Sequence, residues 1–223
     1  MNSSSTHSLV SIEADAILFD NDGVLVDSHA EVTEAWTQMA NEFDLDAEEL
    51  LRTAVGVRAI DTLSRFLSGP QLSAAYDRLA DLEITLAKRT SLLSEAEALL
   101  QDLPDSIWTV VTSAPRTLAV ARWAGAGITV PNRTVTGDDV SRGKPDPDPY
   151  LLGAKLLGVD PERCVVFEDS PSGGDAARAA GATVVAVGNQ EWSFEPAARV
   201  VDLRQVHCEA SASSPVRLRI KKL

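Results

Sequence analysis

Asp20 and Asp22, Thr112 and Ser113, Lys144, and the pair Glu168-Asp169 are the residues of this chain whose types and placement point to chemistry. Three of the four groups follow a short apolar run. Ala16-Ile17-Leu18-Phe19 leads into Asp20-Asn21-Asp22-Gly23, Ile107 to Val111 into Thr112-Ser113, and Cys164 to Phe167 into Glu168-Asp169. Lys144 lies in the loop Ser141-Arg142-Gly143-Lys144-Pro145. Taken singly, each has an ordinary structural reading. Asp-x-Asp-Gly is a common turn, Thr-Ser and Glu-Asp-Ser-Pro cap helices, and Gly-Lys-Pro sits in surface loops. Taken together they are more specific, because buried strands that end in polar groups bring those groups to one edge of a parallel sheet.

Four carboxylates crowded at one edge repel one another, and such a cluster holds together around a divalent cation. Oxygen-only donors favour Mg²⁺, which takes one or two carboxylates plus phosphate oxygens. Lys144 adds a second positive charge, and Thr112 or Ser113 adds a hydroxyl and nearby backbone N–H donors. These are the parts needed to hold a phosphate. With repulsion removed by the cation and Lys144, Asp20 can act as a nucleophile. Asp22 can then serve as general acid toward a leaving alcohol and as general base toward water.

The elements that must position these residues follow an alternating pattern. Ala16–Phe19 reads as a buried strand feeding a polar loop. Residues 29–90 carry helical periodicity throughout, as in Val32, Trp36, Met39, Ala40 and Phe43, then Leu72, Ala75, Leu79, Leu82 and Leu86. Ser94 and Glu97 have capping-box spacing for a helix through Leu100. Strands are predicted at 107–111, 133–136, 164–167 and 182–187. Helices are predicted at 115–124, 148–157 and 172–180, the last two closed by Gly158 and Gly181. Strand–helix alternation implies an α/β fold with a Rossmann-like parallel sheet core. The helical block interrupts it as an all-helical cap inserted after the first strand. The expected division is residues 13–27 and 96–223 for the core and 28–95 for the cap. The first ~12 residues read as a loose tail, and Arg217 to Lys222 as an edge strand or solvated tail. Trp192 and Phe194 are expected to pack on the core.

Composition limits the partners. The 223 residues carry a net charge of −13, from 33 acidic and 20 basic residues. That balance argues against a nucleic-acid binder, which needs a broad basic face, and against adhesion to an anionic membrane. No stretch reaches the ~18 apolar residues of a membrane span. The two cysteines, Cys164 and Cys208, are no disulfide framework, and a cytoplasmic location is expected.

The motifs Leu18-Phe19-Asp20-Asn21-Asp22-Gly23-Val24-Leu25-Val26-Asp27-Ser28, Val110-Val111-Thr112-Ser113, Gly143-Lys144-Pro145-Asp146-Pro147 and Phe167-Glu168-Asp169-Ser170-Pro171-Ser172-Gly173-Gly174 resemble those of the haloacid dehalogenase-like hydrolase superfamily. The resemblance covers roughly residues 15 to 188. It implies Asp20 as phosphate-accepting nucleophile and Asp22 as acid/base, its backbone carbonyl also touching Mg²⁺. It further implies Asp169 as metal ligand with Glu168 beside it, Lys144 on the phosphoryl group, and either Thr112 or Ser113 as phosphate-binding hydroxyl. Asp22 argues for phosphate-ester chemistry over dehalogenation. The segment Val55 to Asp61 is similar to a cap loop over the substrate, which brings in Gly56 and Arg58. The implied enzyme is a Mg²⁺-dependent phosphatase of a small sugar or polyol phosphate, and a monomer suffices for it. A phosphomutase of the β-phosphoglucomutase type is the alternative, and a non-catalytic binding protein a third reading. Ser91 to Ala96 lacks the Pro-Gly pair that relatives commonly carry where the cap returns to the core.

Overall fold

The computed structural model describes residues 9–130, 132–211 and 214–221. The chain opens with strands β1 (Leu9–Ala14) and β2 (Ala16–Phe19). All four residues of β2 are buried, as a strand covered on both faces requires. The expectation of a loose tail through residue 12 fails from Leu9 onward. Ile12 packs on the core, while Glu13 on the opposite face pairs with Arg217 at 2.6 Å, the alternation of a half-buried strand. The rest of that tail, residues 1–8, lies outside the described residues.

After β2 come β3 (Val26–Asp27) and the helices α1 (His29–Glu42), α2 (Ala47–Ala54), α3 (Ala59–Leu63) and α4 (Gly69–Leu86). Ala35, Trp36, Met39 and Ala40 of α1, Leu50, Leu63, and Ala75, Leu79 and Leu82 of α4 form an apolar cluster of their own. Asp46 starts α2 by accepting the N–H groups of Glu48 and Glu49. The return path is β4 (Ser91–Leu92), antiparallel to β3 with Val26 opposite Leu92. The stretch without a Pro-Gly pair is thus half of a two-stranded ribbon at the root of the helical block.

The chain continues through α5 (Ser94–Gln101), β5 (Trp108–Val110), α6 (Arg116–Ala126), α7 (Asp148–Leu157), β6 (Cys164–Glu168), α8 (Pro171–Ala179), β7 (Thr183–Val187), β8 (Ala198–Val200), β9 (Val206–Ser211) and β10 (Ser214–Lys221). A parallel sheet has the order β5-β2-β6-β7-β8, and β1-β10-β9 form a separate antiparallel sheet. The fold is therefore α/β, with an all-helical cap inserted after the first strand of the parallel sheet. Trp192 and Phe194 meet each other edge to face and pack against the core, with Trp192 over Gly174.

Three local expectations differ from the structure. Of the stretch from Arg217 to Lys222, Lys222 lies outside the described residues, and residues 217–221 are neither edge nor tail. They belong to the central strand β10, because Val216, Leu218 and Ile220 bury one face while Arg217 and Arg219 pair with Glu13 and Glu209 on the other. The strand expected at 133–136 reduces to one bridge between Val111 and Val135. Ser94 does not cap α5: Leu93 is the N-cap, and the Ser94 hydroxyl donates to Glu95 at 2.6 Å instead.

The helical block is seated closely on α6. A Cβ at Gly125 would lie 2.2 Å from the carbonyl oxygen of Ala87, just past α4. Gly125→Ala is expected to lower stability by about 1–3 kcal/mol from overpacking, less any gain in helix propensity. A thermal melt checks this, and an unchanged or raised midpoint contradicts it.

Candidate active site

Strand register brings the polar groups together. Phe19 lies opposite both Val110 and Phe167, so β2, β5 and β6 end at one level. Asp20 follows directly, its backbone N–H donating to the Phe167 carbonyl at 3.0 Å. Thr112 follows β5, and Glu168 and Asp169 fall at the end of β6.

Lys144 comes to the same place from the loop before α7 and is 2 % exposed. Its Nζ donates to Asp20 Oδ1 at 2.7 Å, to Glu168 Oε1 at 2.6 Å and to the Val111 carbonyl at 3.1 Å. Burial alone pulls its pKa down, but the charges of Asp20 and Glu168 outweigh this and hold it above the usual lysine value. Lys144 is a fixed cation.

Glu168 is wholly buried, and both its oxygens are occupied. Oε1 accepts from Lys144 and from the Tyr150 hydroxyl at 2.7 Å. Oε2 accepts from the Ser170 N–H at 3.1 Å and the Ser170 hydroxyl at 2.9 Å. Gly173 is needed beside it, since a Cβ there would lie 1.7 Å from Oε1. Glu168 thus stands behind the site and orients Lys144, whereas Asp20 and Asp169 open onto a cavity of about 220 Å³.

One ammonium does not balance these carboxylates. Burial, then the charge of Glu168, pushes Asp20 up to about 7 against the pull of Lys144. Asp169 is driven well above the carboxylate range by burial and by Asp20 and Glu168. Oxygens of Asp20, Glu168 and Asp169 lie within 4.8 Å of one another. The backbone at Gly23 leans on this cluster so closely that a Cβ would stand 2.1 Å from Asp169 Oδ2. An all-oxygen set short of positive charge fits Mg²⁺, with Asp20 and Asp169 as the carboxylates facing the cavity.

Asp22 lines the same cavity but stands outside that cluster. Its Oδ1 accepts from the Ser28 hydroxyl at 2.5 Å and lies 3.0 Å from Arg122 Nη1. The two candidate hydroxyls have different positions. Thr112 Oγ1 accepts the Ala114 N–H at 3.1 Å, and Ser113 donates to the Gly56 carbonyl in the cap at 2.8 Å. Gly56 has φ +73° and lies against the start of α8, where a Cβ would meet Ser170 Oγ at 2.2 Å. Arg58 is not on the cavity wall. It pairs with Asp61 at 2.6 Å and donates to the carbonyls of Val140 and Ser141 at 3.0 and 3.1 Å, fastening the cap to the loop that carries Lys144.

Tyr150, Glu83 and Arg122 belong to the site's surroundings and were not legible as motifs, whereas Ser170 stood in the last motif without a role assigned to it. A signal existed for Glu83 and Arg122. Arg122 falls on the face of α6 with Leu118 and Ala119, and Glu83 on the face of α4 with Leu79 and Leu82, so each is a charge at a buried helical position.

Residues 14–181 match the family described as haloacid dehalogenase-like hydrolase. The chain is 43 % identical over 175 residues to hexitol phosphatase A of Escherichia coli (strain K12), covering 76 % of this chain and 81 % of that protein. It is 30 % identical over 190 residues to glycerol-1-phosphate phosphohydrolase 2 of Saccharomyces cerevisiae, covering 80 % and 76 %. In fold it is similar to the crystal structure of a β-phosphoglucomutase from Clostridium difficile, with a TM-score of 0.77, 22 % identity and coverage of 86 % and 92 %. Among the described residues no helix is long and apolar enough to cross a membrane.

The raised pKa of Asp20 has a measurable consequence. Because about 7 lies above the ordinary 3.8, its proton stabilises the metal-free fold fully below 3.8, and that contribution is lost as pH rises toward 7. A cation takes the proton's place. The gain in thermal midpoint on adding Mg²⁺ is expected to be larger at about pH 7.5 than at about pH 5. Equal gains at both would contradict the charge imbalance.

Proposed function

The chain belongs to the haloacid dehalogenase-like hydrolase family, and from that premise we propose that it is a Mg²⁺-dependent phosphatase of a small sugar or polyol phosphate. The observation that carries this reading is the pairing of Asp20, open to the cavity, with the fixed ammonium of Lys144. The names of the relatives in Escherichia coli and Saccharomyces cerevisiae support the substrate class. The small cavity, acidic at its floor and walled by Val32, Trp36, Leu51 and Val57, supports a substrate of that size.

In the proposed reaction Lys144 occupies Asp20 Oδ1, so Oδ2 is the attacking oxygen. It bonds to phosphorus as the bond to the leaving alcohol breaks, and Asp22 gives that alcohol its proton. Water then attacks the phosphorus of the aspartyl-phosphate, its proton passes to Asp22, and Asp20 is released. Lys144 and Thr112 bind the phosphoryl oxygens. Asp20 and Asp169 would hold Mg²⁺, which would supply the positive charge that keeps Asp20 ionised beside a phosphate dianion. Glu168 acts through Lys144. The two cysteines are unpaired, which accords with work in the reducing cytoplasm.

A panel of sugar and polyol phosphates with Mg²⁺ is expected to release inorganic phosphate. Asp20→Asn is expected to lose at least about a thousandfold in kcat, and Asp22→Asn on the order of a hundredfold or more. Wild-type turnover by Asp20→Asn would overturn the reading. Conversion of β-glucose 1-phosphate to glucose 6-phosphate without phosphate release would make the protein a phosphomutase.

A further inference from the structure

Arg122 is a buried cation that the reaction above does not use. It is 5 % exposed, and its partners come from two different parts of the chain. Nη1 lies 3.0 Å from Asp22 Oδ1, and Nη2 donates to Glu83 Oε1 at 3.0 Å. Glu83 is itself 8 % exposed. It lies on α4 one turn before Ala87, where Gly125 admits the end of the cap against α6. The root of the cap therefore holds the guanidinium, and the guanidinium faces Asp22. Both the Arg122 contact and the Ser28 hydrogen bond fall on Oδ1, which leaves Oδ2 as the oxygen to meet a leaving group. The next residue of α6 grips the same loop independently: the Trp123 indole donates to Asn21 Oδ1 at 2.8 Å. Loss of Arg122 would thus leave the Asp22 side chain held by Ser28 alone, without releasing the loop.

We propose that Arg122 is a positioning residue for Asp22, and that Glu83 holds Arg122 in place for that purpose. The inference rests on the assignment of Asp22 as acid/base. A buried ion pair can be replaced by apolar side chains of similar volume with little loss of stability, so folding alone does not account for the pair. Glu83 and Arg122 both wall the cavity that holds Asp20 and Asp22, which places their effect at the site.

The double variant Glu83→Leu/Arg122→Met tests this, with folding checked by its thermal midpoint. Should it fail to fold, Glu83→Gln carries the same test. With glycerol 1-phosphate, whose alcohol needs a proton to leave, kcat is expected to fall on the order of ten- to a hundredfold with KM little changed. With p-nitrophenyl phosphate the phenolate leaves without one. The first turnover is then expected at the wild-type rate, followed by slow steady-state turnover, because hydrolysis of the aspartyl-phosphate still requires Asp22. That burst is the signature that a structural defect would not give. Unchanged steady-state rates with both substrates, or loss of the burst in proportion to the steady state, would overturn the role of Arg122. A burst from Asp20→Asn would instead overturn the phosphatase mechanism itself.

Discussion

The buried ammonium of Lys144, shared between Asp20 and Glu168, is the interaction on which the rest of the site depends. Removing one partner from a buried ionic cluster leaves an uncompensated charge and costs about 3–5 kcal/mol. The surrounding architecture is what makes such a cluster tolerable. Tyr150, Ser170 and the Val111 carbonyl complete the hydrogen bonds of Glu168 and Lys144, so within this cluster the under-neutralised groups are Asp20 and Asp169, which face the cavity. The imbalance is thereby directed to one place. Asp20 and Asp169 are left in need of positive charge where a cation and a phosphoryl group would arrive.

The cap acts on this site through contacts at its two ends. At the loop after α2, Gly56 and Arg58 bind Ser113 and the segment that carries Lys144. At its root, Glu83 reaches Arg122 and, through it, Asp22. Asp20, the proposed nucleophile, is fixed by the core alone, whereas Asp22, the proposed acid/base, is held by residues of core and cap together. That division suits a reaction whose second half admits water to the site after the leaving group has gone.

Much of the fold was legible in the sequence because its signals are local. β2 and β6 are unbroken apolar runs followed by turn residues, and the helices of the cap repeat at helical spacing. β1 and β10 were harder. Val10, Ile12 and Ala14, like Val216, Leu218 and Ile220, alternate with polar residues, but the two strands pair across some two hundred residues of chain. Nothing near Leu9 announces Lys221. The missing capping box at Ser94 shows the same limit from the other side, since the spacing was right and a neighbouring Glu95 took the hydroxyl. At the site, the acids and Lys144 stood in recognisable motifs, while Tyr150 gained its place only through packing and Arg122 showed only as a charge on the buried face of α6. Arg58 matched a cap-loop pattern, yet its guanidinium is satisfied by Asp61 and by core carbonyls.

In the proposed mechanism Asp20 accepts the phosphoryl group while Lys144 and a cation offset its charge. Acid-quenching the enzyme during its first turnover and weighing the peptide that contains Asp20 tests it most directly. One added phosphoryl group on Asp20 is expected, appearing with the released alcohol and ahead of inorganic phosphate. A phosphoryl group on another side chain, or alcohol and phosphate released together from an unmodified Asp20, would contradict it.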